Sequence, residues 1–101
     1  TLLALGTPPE ESGWLVTLSD GAHSLSLKDR ALSGSGFQVK GAHIMNPRTL
    51  RPVPVAQRRS YALAPSAALS DALSTAFMIM NEPEVAQLCA RLGGDVEALW
   101  I

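Results

Sequence analysis

A single cysteine, Cys89, is the only thiol in the 101-residue sequence, so an internal disulfide and a paired-cysteine metal knuckle are both excluded. Charged residues make up only 17% against 47% hydrophobic ones, a balance that rules out a disordered tail or a nucleic-acid coat. Long apolar runs are missing too. None approaches the ~18 residues of a membrane span, and the longest, around Ala72–Met80, is interrupted by Ser74 and Thr75. Nothing within the sequence reads as a secretory leader. An initiator methionine is absent: Thr1-Leu2-Leu3-Ala4-Leu5 opens inside an apolar strand and reads as part of a longer, processed or nicked polypeptide. What is present suffices for one domain, since a chain of this size buries roughly 60–65% of its unfolded surface.

The net charge of −1 conceals an asymmetry. Residues 1–27 hold three acids (Glu10, Glu11, Asp20) and no Lys or Arg. Residues 28–59 hold Lys28, Arg30, Lys40, Arg48, Arg51, Arg58 and Arg59 against Asp29 alone. Residues 60–101 return to five acids against Arg91. A basic middle between acidic flanks suits a compact anion such as a phosphate ester. A duplex-binding protein would carry a broader basic face and a basic balance, so nucleic acid is not expected as a partner. The plainer alternative is a solvated basic edge of a sheet.

The first half reads as short strands and turns. Trp14–Leu18 follows the Pro8-Pro9 and Ser12-Gly13 breakers, Asp20-Gly21 marks a turn, and His23–Leu27 alternates polar and apolar, which predicts a hairpin. Arg30-Ala31-Leu32 leads into Ser33-Gly34-Ser35-Gly36, a stretch with side chains too small for core packing. It reads either as a flexible loop or as a place where backbone approaches a ligand. Phe37–Val39 is a further short strand, Pro47, Pro52 and Pro54 hold Ile44–Pro54 out of regular structure, and Val55–Ala64 returns to strand. The second half switches period. Ser66 caps a helix that places Leu69, Leu73, Ala76, Phe77 and Met80 on one side. Asn81-Glu82-Pro83 punctuates, Glu84–Leu92 forms a second helix stopped by Gly93-Gly94, and Val96–Ile101 closes as a strand. Strands followed by helix–helix–strand predict an α+β fold, a mixed or antiparallel sheet with two helices packed on one face.

The opposite side of the first helix carries the most informative residues. At ~100° per residue, Ala67, Asp71, Ser74, Thr75 and Met78 share a stripe away from Leu69, Leu73 and Phe77. Asp71 and Thr75 stand four apart and so are neighbours one turn along. A carboxylate and a hydroxyl suit a hard cation such as Mg2+, which takes a few protein oxygens together with water and substrate phosphate. The alternative is a solvent-facing Asp and Thr on an ordinary amphipathic helix. His43, ahead of Asn46-Pro47, could orient or deprotonate a nucleophile or ligate a metal, or serve a structural role. Arg48 could meet a phosphate bidentately. His23 sits in the hairpin without an evident partner, and Cys89 reads as a small core residue of the second helix.

Ala42-His43-Ile44-Met45-Asn46-Pro47-Arg48-Thr49, followed by Ala64-Pro65-Ser66 and Asp71-Ala72-Leu73-Ser74-Thr75-Ala76, resembles the ApbE family of FAD:protein FMN transferases. The family patterns are His-(Ile/Val)-x-(Asp/Asn)-Pro-(Arg/Lys)-Thr-Gly and, after a strand, an Ala-Pro-Ser helix start with Asp-Ala-Leu-x-Thr-Ala. Ser33-Gly34-Ser35-Gly36 is similar to the family's Thr-Ser-Gly segment. Ala4–Pro9 with Gly13-Trp14 is similar to the stretch after its Gly-Gly-Asp motif, so the likeness spans nearly the whole chain. Three positions depart from the pattern. Leu50 stands where the family has Gly, Gly34 replaces its Thr, and Phe37 stands where an acidic residue or Asn is common; the turn at Leu50 is therefore expected to be reshaped.

The resemblance implies that residues 1–101 form the C-terminal half of a larger ApbE-like, T-fold-like domain, completed by an N-terminal half in cis or in trans. It implies an Mg2+-dependent transfer of FMN from FAD to a threonine of an acceptor flavoprotein, with release of AMP. The alternatives are a FAD pyrophosphatase giving FMN and AMP, a non-catalytic flavin-binding or carrier relative, and a small interaction domain that keeps only the fold. Asp71 and Thr75 match the family's metal pair, and His43 matches the histidine near the reacting phosphate, in the role of general base. Ser35, Gly36 and Arg48 fall where the dinucleotide would be bound. The isolated chain is expected to be inactive, and the resemblance points to the bacterial periplasm or a membrane-anchored lipoprotein, with the cytoplasm as the alternative.

Overall fold

Short alternating strands and two capped helices build the chain as the computed structural model describes it, over residues 1–18, 20–36, 45–52 and 59–101. The strands are β1 (Leu2–Ala4), β2 (Trp14–Thr17), β3 (Ser24–Leu27), β4 (Arg30–Ser35), β5 (Met45–Asn46), β6 (Arg51–Pro52), β7 (Ser60–Ala64) and β8 (Glu97–Trp100). Helix α1 (Ala67–Ala76) and helix α2 (Glu82–Arg91) lie between β7 and β8. The main sheet runs β1-β4-β7-β8, and all of its pairs are antiparallel. The predicted α+β class is the class of the fold. No helix among the described residues is long and apolar enough to cross a membrane.

The two faces of the central β4–β7 pair differ in side-chain size, and that difference decides what packs on each. Ala31 pairs with Ala64, Ser33 with Ala62 and Ser35 with Ser60, so one face is built from Ala and Ser alone. The other face alternates Leu32 opposite Leu63 with Gly34 opposite Tyr61. Against the small face lies α1, whose Leu73, with Phe77 at the helix C-cap, joins Ala62, Ala64, Val85 of α2 and Val96 in one buried cluster. Side chains no larger than Ser let a helix backbone approach the sheet closely. Against the large face folds the β2–β3 hairpin, where Leu18 and Leu27 bury with Leu32, Tyr61, Leu63 and Ala4. A Cβ at position 34 would stand 2.8 Å from Tyr61 Cε1, so the Tyr61 ring occupies the space a side chain there would need.

Helix α1 begins where the sequence placed its cap. The Ser66 side chain accepts from Leu69 N–H at 3.2 Å. Helix α2 starts two residues earlier than expected, because Asn81 caps it and exchanges bonds with Glu84 in a capping box, with Pro83 inside the first turn. Gly93, at φ 90°, ends it as predicted.

Three expectations give way. Ser33–Ser35 is strand rather than loop, and Ser33 is buried, because small side chains are what the approach of α1 demands. The prolines do not hold Ile44–Pro54 wholly irregular: Met45–Asn46 pairs with Arg51–Pro52 in a two-stranded ribbon, where only two rungs are formed and Pro is tolerated at a strand edge. His23 does have a partner, the carboxylate of Asp20 in the hairpin turn. The expected strand Phe37–Val39 and the Val55–Arg58 part of the expected strand Val55–Ala64 lie outside the described residues.

Candidate functional site

The site grows from the seam between β4 and α1. Ser70 and Ser74 are completely buried in that seam and face the serines of β4. Buried hydroxyls need partners, and each finds one across the seam. Ser70 Oγ lies 3.0 Å from Ser33 Oγ, and Ser74 Oγ lies 2.9 Å from Ser35 Oγ. Ser60 of β7 donates its hydroxyl to the carbonyl of Ser74. This corrects one expectation from the helical wheel: Ser74 is not on the outward stripe. The buried side of α1 runs Ser70, Leu73, Ser74, Phe77, wider than its apolar residues alone suggest, because β4 offers serines rather than leucines as partners.

Asp71 and Thr75 both remain exposed, one turn apart at the edge of the seam. Thr75 Oγ1 lies 3.2 Å from Ser35 Oγ. Asp71 Oδ1 accepts from Thr1 Oγ1 at 3.3 Å, and Thr1 Oγ1 accepts from Ser33 Oγ at 2.8 Å. Asp71 Oδ2 has no hydrogen-bond partner among the described residues. Two sequence blocks forty positions apart thus meet: the Ser-Gly end of β4 touches the Asp-x-x-x-Thr turn of α1.

The donor chemistry fits a hard cation. A carboxylate and a hydroxyl are the oxygen donors a hard cation takes, while no group of three or more His, Cys, Asp or Glu among the described residues could by itself hold a metal ion. Asp71 and Thr75 do not line either of two apolar clefts, one of ≈ 520 Å³ between α2 and β8 and one of ≈ 440 Å³ between β1 and β2. Their neighbourhood is an open, polar edge.

The other residues singled out in the sequence are placed differently. Gly36 sits beside Ser35, and the stem of Arg59 packs on it: a Cβ at position 36 would lie 2.8 Å from Arg59 Cγ. Arg48 stands in the turn of the β5–β6 ribbon. Its Nη2 donates to Glu84 Oε2 of α2 at 2.9 Å, so it is held by a carboxylate there. That guanidinium, followed by the N–H of the Asn81 cap interaction, holds the Glu84 carboxyl below its ordinary range. His43 lies outside the described residues.

Leu50 closes the same turn. The backbone N–H groups of Thr49 and Leu50 donate to the Asn46 carbonyl, Arg48 N–H donates to Asn46 Oδ1, and Leu50 has φ 56°. Leu50, 81% exposed, thus holds a left-handed backbone conformation that a glycine would adopt without strain and a leucine adopts at a cost.

Sequence reasoning missed Thr1, Ser33 and Ser70, which join the polar edge through hydroxyls only. Their signal was the matched count of serines in β4 and α1. It also passed over Arg59, whose Nε is buried without a partner among the described residues; its signal was the Arg58-Arg59 pair ending the basic segment.

Residues 1–100 match the model of the ApbE family. No curated protein and no solved structure matches the chain.

Proposed function

Because the chain belongs to the ApbE family, whose function is of flavin-transferase type, we propose that it forms part of an Mg2+-dependent enzyme moving FMN from FAD to a threonine of a partner flavoprotein and releasing AMP. The observation that carries this reading is the meeting of Ser35 with Thr75 beside Asp71, which assembles oxygen donors from separate motifs on one exposed edge.

In this reading Asp71 and Thr75 would hold the cation, which would supply charge neutralisation for a pyrophosphate whose cleavage expels AMP. Their two oxygens would be joined as ligands by water, substrate phosphate and oxygens from further polypeptide. In the transfer the acceptor Thr oxygen forms a bond to the FMN phosphorus, the bridging P–O bond to AMP breaks, and AMP leaves with the electron pair. His43 takes the proton of the attacking hydroxyl. With no covalent enzyme chemistry required, positioning of the two phosphates is the main task of the site. The Arg59 stem covers Gly36 where a Cβ would stand, so the dinucleotide reaches the backbone there only when that side chain swings aside, and Arg48 reaches phosphate only when its pair with Glu84 opens.

The test is to mix the protein, supplied with any further polypeptide of its domain, with FAD, Mg2+ and an acceptor bearing the threonine motif, and to weigh the acceptor. A mass gain of one FMN moiety less water, lost in Asp71→Ala, supports transfer. FMN and AMP with no mass gain indicates hydrolysis. Bound FAD without either product indicates a carrier.

A further inference from the structure

The hydroxyls beneath Thr75 form a chain whose protons can be assigned by counting. Ser74 Oγ lies 3.0 Å from the carbonyl oxygen of Asp71, Ser35 Oγ lies 2.9 Å from Ser74 Oγ, and Thr75 Oγ1 lies 3.2 Å from Ser35 Oγ. Each hydroxyl carries one proton, and a carbonyl can only accept. Ser74 must therefore donate to the Asp71 carbonyl, Ser35 to Ser74, and Thr75 to Ser35. No other arrangement satisfies all three contacts.

We infer from this that Ser35 is a positioning residue for Thr75: by taking its only proton, Ser35 turns the Thr75 oxygen into a pure acceptor whose lone pairs face outward to a cation. The inference rests on the reading of Asp71 and Thr75 as cation ligands, but its physical basis is separate. The neighbouring chain makes a useful contrast. There Ser33, Thr1 and Ser70 have three protons for four contacts, to Thr1, Asp71 Oδ1, Ser33–Ser70 and the Ala67 carbonyl, so one proton is shared and no single order is imposed. Asp71 needs no such ordering, since a carboxylate accepts whatever its neighbours do. A hydroxyl ligand does need it. A Thr75 that pointed its proton outward would present positive charge to the cation.

Without Ser35, the Thr75 hydroxyl has the fallback open to any helical Thr, the carbonyl four residues back. That carbonyl belongs to Asp71 and already accepts Ser74, so Thr75 would divide between rotamers. Ser35→Ala is the decisive variant, and Ser35→Thr is the conservative one that keeps the hydroxyl. Ser74→Ala keeps the Ser35–Thr75 contact but releases the Ser35 proton to point either way.

Two measurements on the full chain test this. Three-bond couplings from the Thr75 methyl carbon to its backbone N and C′ report the χ1 rotamer without any metal. Calorimetric titration with Mg2+ reports affinity. The expected result is one Thr75 rotamer in wild type and in Ser35→Thr, with averaged couplings in Ser35→Ala. Mg2+ affinity should fall about tenfold in Ser35→Ala, the lower end for loss of an outer-shell partner, recover in Ser35→Thr, and fall also in Ser74→Ala. A Thr75 that keeps one rotamer in Ser35→Ala overturns the inference, as does unchanged Mg2+ affinity in that variant while Asp71→Ala weakens binding. Unchanged affinity in Ser74→Ala overturns the proton order. Undiminished Mg2+ binding by Asp71→Ala overturns the cation reading itself, an outcome distinct from the others.

Discussion

Ser35 Oγ and Thr75 Oγ1 stand 3.2 Å apart across forty positions of sequence, one at the end of β4 and the other on the exposed edge of α1. The contact ties the two motif segments together, and the distinct jobs of α1's two sides follow from it. Asp71→Ala and Thr75→Val should abolish cation-dependent turnover while costing no more than about 0.5 kcal/mol of stability, as substitutions at exposed helix positions do. Paired activity assays and denaturant titrations check this. Unfolding of either variant would mark the residue as structural.

The buried side of the same helix should behave in the opposite way. Leu73→Ala removes a side chain from the cluster with Phe77, Val85 and Val96. It is expected to cost about 2–5 kcal/mol in urea unfolding, the range for deleting a core leucine.

Gly34 is constrained by its cross-strand partner. Gly34→Thr, which restores the residue of the family pattern, drives a side chain into the Tyr61 ring. A loss of about 1–3 kcal/mol is expected from overpacking, and the loss should shrink when Tyr61 is first shortened to Leu. A double-mutant cycle measures that coupling.

Leu50→Gly should stabilise the chain. A left-handed non-glycine residue costs roughly 1–2 kcal/mol and glycine's extra unfolded-state entropy offsets part of that, leaving a gain of about 0.5–1 kcal/mol. Thermal unfolding of the two proteins tests this.

The Arg48–Glu84 pair gives a pH signature. The folded-state pKa of Glu84 is depressed, so the pair's contribution is present above the unfolded carboxyl value of about 4.3 and disappears as pH falls through the folded value. Arg48→Ala should therefore flatten the fall of Tm on acidification below about pH 5, without removing it, because Asp20 beside His23 is depressed as well. Arg48 is exposed and Glu84 half-buried, so the pair stays within reach of solvent ions and the effect should weaken in high salt.

Much of the architecture was legible because it follows local rules. Asp20-Gly21 between alternating strands pointed to the hairpin, Ser66 to the start of α1 and Gly93 to the end of α2, whereas the cap at Asn81, read only as punctuation, put the start of α2 two residues too late. Asp71 and Thr75 could be placed on a common exposed edge from their spacing alone. What spacing could not supply was the identity of the opposing surface. A helical wheel ranks Ser74 as outward because serine is polar. Only the pairing of Ser33, Ser35 and Ser60 into one small-residue face makes burial of Ser70 and Ser74 favourable, and that pairing is set by strand register. The ion pair of Arg48 with Glu84 was hidden for the same reason, being a contact between a ribbon and a helix far apart in sequence.

The central claim, that Asp71 and Thr75 jointly grip a divalent ion, is tested most directly by paramagnetic broadening on adding Mn2+ to the isotope-labelled chain. The account predicts that the earliest losses of amide signal centre on Asp71 and Thr75, extend to Ser35, and reverse with excess Mg2+. Broadening centred instead on Asp20, on Glu82–Glu84 or on Asp95–Glu97, with Asp71 and Thr75 untouched, would contradict it.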